Sequence, residues 1–175
     1  MTTASVFVGI SVDGFLARPD HTLDFLDAGG GEPHGYEEFI AGVDTIVIGR
    51  RTFEVVLGFG GWAYGDRRVV VLSSRPLPSV LPDGARIEHM QGEPKAIVAD
   101  LAARGARHLY IDGGITIQRF LRAGMIQRLV ITRVPVLIGS GIALFGNLPG
   151  DVRLEHVATR SYRGGLVQSE YRVLV

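Results

Sequence analysis

Leu109-Tyr110-Ile111-Asp112-Gly113-Gly114-Ile115-Thr116-Ile117-Gln118-Arg119-Phe120-Leu121 is the stretch on which the fold turns. It reads as a short apolar strand, a Gly-Gly turn and then a helix. The apolar residues Ile117, Phe120 and Leu121 recur at helical spacing, so the hydrophobic period changes from 2 to about 3.6 across the glycines. A strand that enters a helix through glycines leaves free N–H groups at the positive end of the helix dipole, which suits a phosphate. The glycines would let that ligand approach the backbone closely. Asp-Gly-Gly is also ordinary turn chemistry, so these residues alone leave both readings open.

Two similar junctions lie upstream. Thr45-Ile46-Val47-Ile48 is an apolar strand that runs into Gly49-Arg50-Arg51-Thr52, after which Phe53, Val56 and Leu57 mark a helix. Cations at a helix start oppose the dipole, so Arg50 and Arg51 call for an anionic partner or a local carboxylate. Arg68-Val69-Val70-Val71-Leu72 is the next strand and ends in Ser73-Ser74-Arg75-Pro76. Such turns at the carboxyl ends of neighbouring parallel strands are where ligands bind in open α/β sheets. Two phosphates joined in one nucleotide would account for all of them.

The remaining chain fits the same pattern. Ala4–Ser11 is a strongly apolar strand containing Gly9, and Val12-Asp13-Gly14 is a turn before the extended Phe15-Leu16-Ala17. Residues 18–35 read as a loop, long enough for a lid or a binding edge. A short helix over Tyr36–Gly42 carries Tyr36, Phe39 and Ile40 on one face. Trp62 and Tyr64 sit in a glycine-rich loop, where they either stack on a flat ligand or plug the sheet edge. An edge strand is expected over Ile87–Met90 and a helix over Pro94–Arg104, closed by Gly105. Arg128–Leu137 reads as a strand interrupted at Pro135, and Val152–Tyr162 with Leu166–Leu174 as a closing antiparallel hairpin. Alternating strands and helices followed by a hairpin predict an α/β fold, a mostly parallel sheet with helices on both faces and an antiparallel edge.

Composition narrows the function classes. The chain of 175 residues is expected to form a single domain, and at 46% hydrophobic and 21% charged it is globular in type. Lys+Arg and Asp+Glu both total 18, which offers no electrostatic case for nucleic acid or an anionic membrane. With no cysteine, disulfides, thiolate metal sites and cysteine nucleophiles are excluded. His21, His34, His89, His108 and His156 show no paired ligand spacing, so no metal site is expected. There is no Gly-x-Ser-x-Gly elbow and no lysine P-loop. No apolar run reaches the roughly 18 residues of a membrane span, and the N-terminus has no basic flank or cleavage signal, so a cytoplasmic protein is expected.

The ordered set of motifs resembles the dihydrofolate reductase fold, and within it the riboflavin-biosynthesis reductase branch, the RibD C-terminal domain. Ile48-Gly49-Arg50-Arg51-Thr52-Phe53-Glu54 is similar to the family's Gly-Arg-x-Thr helix start. Val71-Leu72-Ser73-Ser74-Arg75 resembles its Leu-Ser-Ser strand end, and Asp112-Gly113-Gly114 its cofactor turn. Leu129-Val130-Ile131-Thr132 is like its next strand. Ser11-Val12-Asp13-Gly14-Phe15-Leu16-Ala17 and the Gly139-Ser140-Gly141 loop with Leu144-Phe145 are like features of the riboflavin branch.

This resemblance implies a three-layer fold and NADPH. By position, Arg50, Arg51, Leu72, Ser73, Ser74 and Arg75 would hold the 2′-phosphate and adenosine end. Gly49, Thr52 and Gly113-Gly114-Ile115-Thr116 would meet the pyrophosphate, and Gly9 and Leu16 the nicotinamide carboxamide. Tyr36, Phe39 and Thr132 would lie beside a small pyrimidine or pterin substrate. Asp112 stands where the riboflavin branch often has Glu, and would either serve as an acid beside the nicotinamide or cap the next helix. Dihydrofolate reductases carry a pterin-binding carboxylate on the helix after the first loop. None of Asp24, Asp27, Glu37 and Glu38 is in register for it, and Ile117 replaces a frequent aromatic. The implied activity is NADPH-dependent reduction of 5-amino-6-(5-phosphoribosylamino)uracil or a related ring. Dihydrofolate reduction and a non-catalytic NADPH-binding regulator are the alternatives, and a homodimer is expected.

Overall fold

The computed structural model describes residues 1–174. The strands in chain order are β1 (Thr3–Ser11), β2 (Phe15–Ala17), β3 (Thr45–Gly49), β4 (Arg68–Leu72), β5 (Arg86–Met90), β6 (His108–Asp112), β7 (Arg128–Val134), β8 (Ile142–Ala143), β9 (Leu154–Ser161) and β10 (Val167–Val173). The helices are α1 (Tyr36–Ala41), α2 (Arg50–Leu57), α3 (Pro94–Ala103) and α4 (Gly114–Arg122). The frame is an eight-stranded sheet in the order β5-β4-β3-β6-β1-β7-β10-β9. The first six of these run parallel, and β10 pairs antiparallel with β7 and β9.

Strict alternation along the strands creates the three layers. Val6, Val8, Val47, Val70, Leu109, Ile111, Leu129 and Ile131 pack with Ile97 and Leu101 of α3 and with Ile117 and Phe120 of α4. Their neighbours Phe7, Ile46, Ile48, Val69, Val71, Tyr110 and Val130 pack with Phe39 of α1 and Phe53 of α2. The central strands are buried on both faces, hence their near-continuous Val/Ile runs.

Strand β6 is inserted between β3 and β1, although β3, β4 and β5 all precede it in the chain. That insertion places the ends of β3 and β6 side by side, with Ile48 opposite Asp112 and Gly49 opposite Leu72 of β4. The strand expected over residues 128–137 stops at Val134, because Pro135 has no N–H to donate. The two hairpin strands are slightly shorter at both ends than the apolar pattern suggests, since cross-strand pairing runs from Leu154 to Ser161 and from Val167 to Val173.

One feature departs from the sequence reading and another extends it. The supposed loop over residues 18–35 contains a 3-10 helix, Asp24–Gly29, with Phe25 buried. Phe15–Ala17 is a real strand, and β2 pairs antiparallel with β8 in a separate two-stranded ribbon. The side-chain oxygens of Asp13 accept from the N–H groups of Ile138 (3.2 Å) and Gly139 (2.8 Å), and Ser11 Oγ accepts from Phe15 N–H (3.0 Å). The Ser-Val-Asp-Gly turn and the Gly-Ser-Gly loop are therefore partners. Among the described residues no helix is long and apolar enough to cross a membrane.

Candidate active site

A cleft of about 430 Å³ opens where β3, β6 and β1 end. One side is built from two helix starts. Gly49 precedes α2 and Gly113 precedes α4, and neither helix has a side-chain cap. The first N–H groups of both helices therefore have no partner from their own helix. The two turns interlock. A Cβ on Gly49 would lie 2.9 Å from Thr116 Oγ1, and one on Gly113 (φ +94°) would collide with Thr52 Oγ1. Glycine at 113 is required both by the backbone and by the neighbour.

The rest of the lining is chiefly apolar and includes Phe7, Val8, Leu16, Leu23, Leu26 and Ile142. Leu16 and Ile142 come from the β2–β8 ribbon and lie over Gly114, where a Cβ would meet Ile142 Cγ2 at 2.9 Å and Leu16 Cδ1 at 3.4 Å. A second hollow of about 510 Å³ adjoins the first, sharing Arg50, Leu72 and Arg119 with it. Ser73, Ser74, Arg75, Gln91, Gly92 and Glu93 complete it.

Both arginines at the start of α2 find a carboxylate. Glu54 accepts from Arg50 Nε (3.1 Å) and from Arg51 Nη1 (3.3 Å). Arg50 Nη1 also donates to Ser73 Oγ (3.3 Å) and to the carbonyls of Arg75 (3.2 Å) and Pro76 (2.7 Å). Arg50 thus ties the β4 exit turn to α2, while Arg51 stays largely exposed.

Asp112 lies at the carboxyl end of β6 and lines the cleft, half-buried as a residue. Its Oδ1 accepts from Gly113 N–H at 2.8 Å. Burial pushes its pKa above the ordinary carboxylate range, against the opposing pull of the Gly113 N–H. Tyr110 is buried and donates to Phe7 O at 2.9 Å. Burial and then the nearby Asp112 charge raise the phenols of Tyr36, Tyr64 and Tyr110.

The structure therefore brings Gly9, Leu16, Gly49, Arg50, Arg51, Thr52, Leu72, Asp112, Gly113, Gly114, Ile115 and Thr116 to the first hollow. It brings Ser73, Ser74 and Arg75 to the second. Tyr36, Phe39 and Thr132 are not on the cleft wall. Phe39 is buried against Phe7 (4.9 Å between centroids) and Tyr110 (5.1 Å), and Tyr36 meets the edge of Phe7 at 5.6 Å. Thr132 is 2% exposed, and its hydroxyl accepts from Gln168 Nε2 at 2.9 Å.

Sequence reasoning passed over Phe7, His21, Leu23, Leu26, Arg119 and Ile142. Arg119 stands on α4 four residues after Ile115 and three after Thr116, lines both hollows, and donates to Gly92 O at 2.8 Å. Its helical spacing was a usable signal. The 3-10 helix and the residue before it present Leu26 and Leu23 to the cleft, whereas Asp24 is exposed and paired with Arg18 (2.6 Å). No carboxylate of that segment faces the site.

Comparison with known proteins accords with this architecture. The family model of the RibD C-terminal domain matches residues 3–168. The chain belongs to the RibD C-terminal domain family. It is 31% identical over 172 residues to the uncharacterized protein YwjB of Bacillus subtilis (strain 168), covering 95% of each chain. A solved structure described as a putative riboflavin biosynthesis protein from Shewanella sp. PV-4 superposes with a TM-score of 0.90 at 34% identity, over 99% of both chains. Dihydrofolate reductase from Enterococcus faecalis, solved with NADP(H) and RAB-propyl, superposes with a TM-score of 0.63 at 19% identity, over 99% of this chain and 97% of that one. The RibD-type domain seen here therefore has the dihydrofolate reductase fold.

Proposed function

We propose that the protein is an NADPH-dependent reductase of the riboflavin-biosynthesis type, acting on a C=N carbon of a small pyrimidine or pterin ring. One observation carries this reading: two uncapped helix starts interlock on one side of a cleft, and a basin with Arg50, Ser73, Ser74 and Arg75 adjoins them. The chain fits a dinucleotide on its own structure. Free N–H groups and dipoles at Arg50–Thr52 and Gly114–Thr116 suit a pyrophosphate, and Gly114 lets the β2–β8 ribbon close against the start of α4, where a Cβ would crowd Ile142. Arg75 and Arg50 suit an additional phosphate by forked donation. The Enterococcus faecalis reductase of the same fold is described with NADP(H).

NADPH, when bound, supplies a hydride. Every other contribution comes from the chain. Phe7, Leu23, Leu26 and Ile142 exclude water and hold a flat ring, with Tyr36 and Phe39 backing the Phe7 wall. Asp112 holds a proton beside the substrate nitrogen, its raised pKa keeping the acid form in play, and Gly113 N–H fixes the carboxyl's orientation. Because the 3-10 helix offers leucine and no carboxylate, Asp112 is the acidic group that lines the cleft. This favours the riboflavin-type reading over dihydrofolate reduction.

The outermost strand β9 has an unpaired edge, and Leu154, Val157 and Val167 of the hairpin are exposed, which supports a homodimer through this face. The functional test is NADPH oxidation followed by absorbance with 5-amino-6-(5-phosphoribosylamino)uracil, its unphosphorylated nucleoside and dihydrofolate. Turnover of a ribosylaminopyrimidine supports the reading. Tight NADPH binding without oxidation by any of them supports a regulator instead.

A further inference from the structure

We propose that Arg119 contacts the bound cofactor, and that it grips the pyrophosphate, which NADPH and NADH share, rather than the 2′-phosphate. This rests on reading the cleft as a dinucleotide site. Three residues line both hollows: Arg50, Leu72 and Arg119. A ligand that runs from the helix starts of the first hollow to Ser73, Ser74 and Arg75 in the second has to pass them. Leu72 ends β4, is buried and has no side-chain donor. Arg50 stands on α2 and Arg119 on α4, so each of the two helices whose starts build the cleft brings one cation to the passage.

The two cations differ in what the fold already asks of them. Arg50 gives Nε to Glu54, and Nη1 to Ser73 Oγ and the carbonyls of Arg75 and Pro76. Arg51 shares Glu54 and is the most exposed of the three arginines in the first hollow. Among the described residues Arg119 makes a single hydrogen bond, from Nη2 to Gly92 O at 2.8 Å. The carboxylate of Glu93 lies 4.0 Å from the same Nη2 and is 88% exposed, at the limit of an ion pair and screened by water. A guanidinium has five N–H donors, so those on Nε and Nη1 are left over. One bond holds the head in place while most of the fork stays free, which lowers the ordering cost of gripping an anion.

Position along α4 selects the phosphate. Arg119 follows Ile115 by four residues and Thr116 by three, so it shares the face of the first turn, and a helical side chain leans back toward the N-terminus. The free N–H groups of that turn suit the pyrophosphate. The leftover donors of Arg119 would meet the same oxygens, as charge-assisted bonds. The groups suited to the 2′-phosphate lie elsewhere: Ser73, Ser74 and Arg75 are on the β4 exit turn, and Arg50 is bonded to that turn from α2.

The test is fluorescence titration of the full chain with NADPH and with NADH, and calorimetric titration with ADP-ribose. ADP-ribose keeps the pyrophosphate and lacks both the 2′-phosphate and the nicotinamide. Arg119→Gln removes the charge and should weaken all three by one common factor of about tenfold or more, the worth of a charged hydrogen bond. Arg119→Lys restores a point charge and should recover part of that loss for all three. Because the side chain is partly exposed and holds one bond, both variants should melt within roughly 3 °C of wild type without ligand. A loss confined to NADPH would assign Arg119 to the 2′-phosphate and overturn the proposal. So would unchanged affinities in Arg119→Gln, or an Arg119→Lys that binds no more tightly than Arg119→Gln. If the wild-type protein binds none of the three, the dinucleotide reading itself fails and this inference with it.

Discussion

Gly113→Ala should be among the costliest single-methyl additions in the molecule. At φ +94° and ψ +133° Gly113 lies outside even the left-handed helical region, where an L side chain is strained by about 1–3 kcal/mol. The new Cβ would also collide with Thr52 Oγ1, an overpacking cost of about 1–3 kcal/mol. The sum is about 2–6 kcal/mol. Gly124→Ala is the internal control, because φ is +68° there but nothing lies within 4 Å, so only the backbone strain of about 1–2 kcal/mol applies. Thr52→Ala removes the colliding oxygen while Thr52 Cβ stays at 3.5 Å, an ordinary contact. The double variant Gly113→Ala/Thr52→Ala should then recover about 1–2 kcal/mol relative to additivity. Urea unfolding of the four variants and the wild type, followed by circular dichroism, measures all of this. If Gly113→Ala costs no more than Gly124→Ala, the two turns do not interlock and the basis for a shared dinucleotide site is lost.

Other consequences follow from the same geometry. Asp112→Asn should lower turnover about 100-fold or more, the scale of general acid catalysis. It should also remove a pH dependence of stability: a carboxyl with a raised folded pKa costs stability as pH rises from its unfolded value through its folded one, so the variant should melt at or above wild type at neutral pH and equal to it in acid. In the same sense, wild-type turnover should fall as pH rises through the raised Asp112 pKa. Arg75→Ala should weaken NADPH binding roughly 10–100-fold, the worth of a charged hydrogen bond, and leave NADH binding nearly unchanged, as fluorescence titration with both would show. Arg50→Ala should show the same selectivity together with a stability loss, because Arg50 also fastens the carbonyls of Arg75 and Pro76. Thr132→Val should cost about 1 kcal/mol in stability through Gln168, with little change in turnover.

The parts of the fold legible in the sequence were those set by local periodicity. The apolar runs at Thr45–Ile48 and Arg68–Leu72 and the glycine-bounded helices declare themselves within a dozen residues. The insertion of β6 between β3 and β1 does not, because strands buried on both faces carry no signal for which neighbour they take. The β2–β8 ribbon joins segments more than 120 residues apart, and only the Asp13 bonds to Ile138 and Gly139 reveal why both turns have the residues they have. The need for a carboxylate near Arg50 and Arg51 was legible. Its answer, Glu54, lay at helical spacing three and four residues on. At the site, the glycine turns and the basic strand end could be read from composition. The cleft's apolar wall could not, because Leu23 and Leu26 look like ordinary core residues until a 3-10 helix turns them inward. Thr132 faces the α1–α2 side as alternation requires, but Gln168 from a strand folded back later takes its hydroxyl.

Backbone amide spectra of the ¹⁵N-labelled protein during titration with NADPH test the central claim most directly. Resonances of Arg50, Arg51 and Thr52 at one helix start, and of Ile115 and Thr116 at the other, should shift together along a single saturable curve. Shifts confined to one of the two helix starts, or none that saturate, would contradict it.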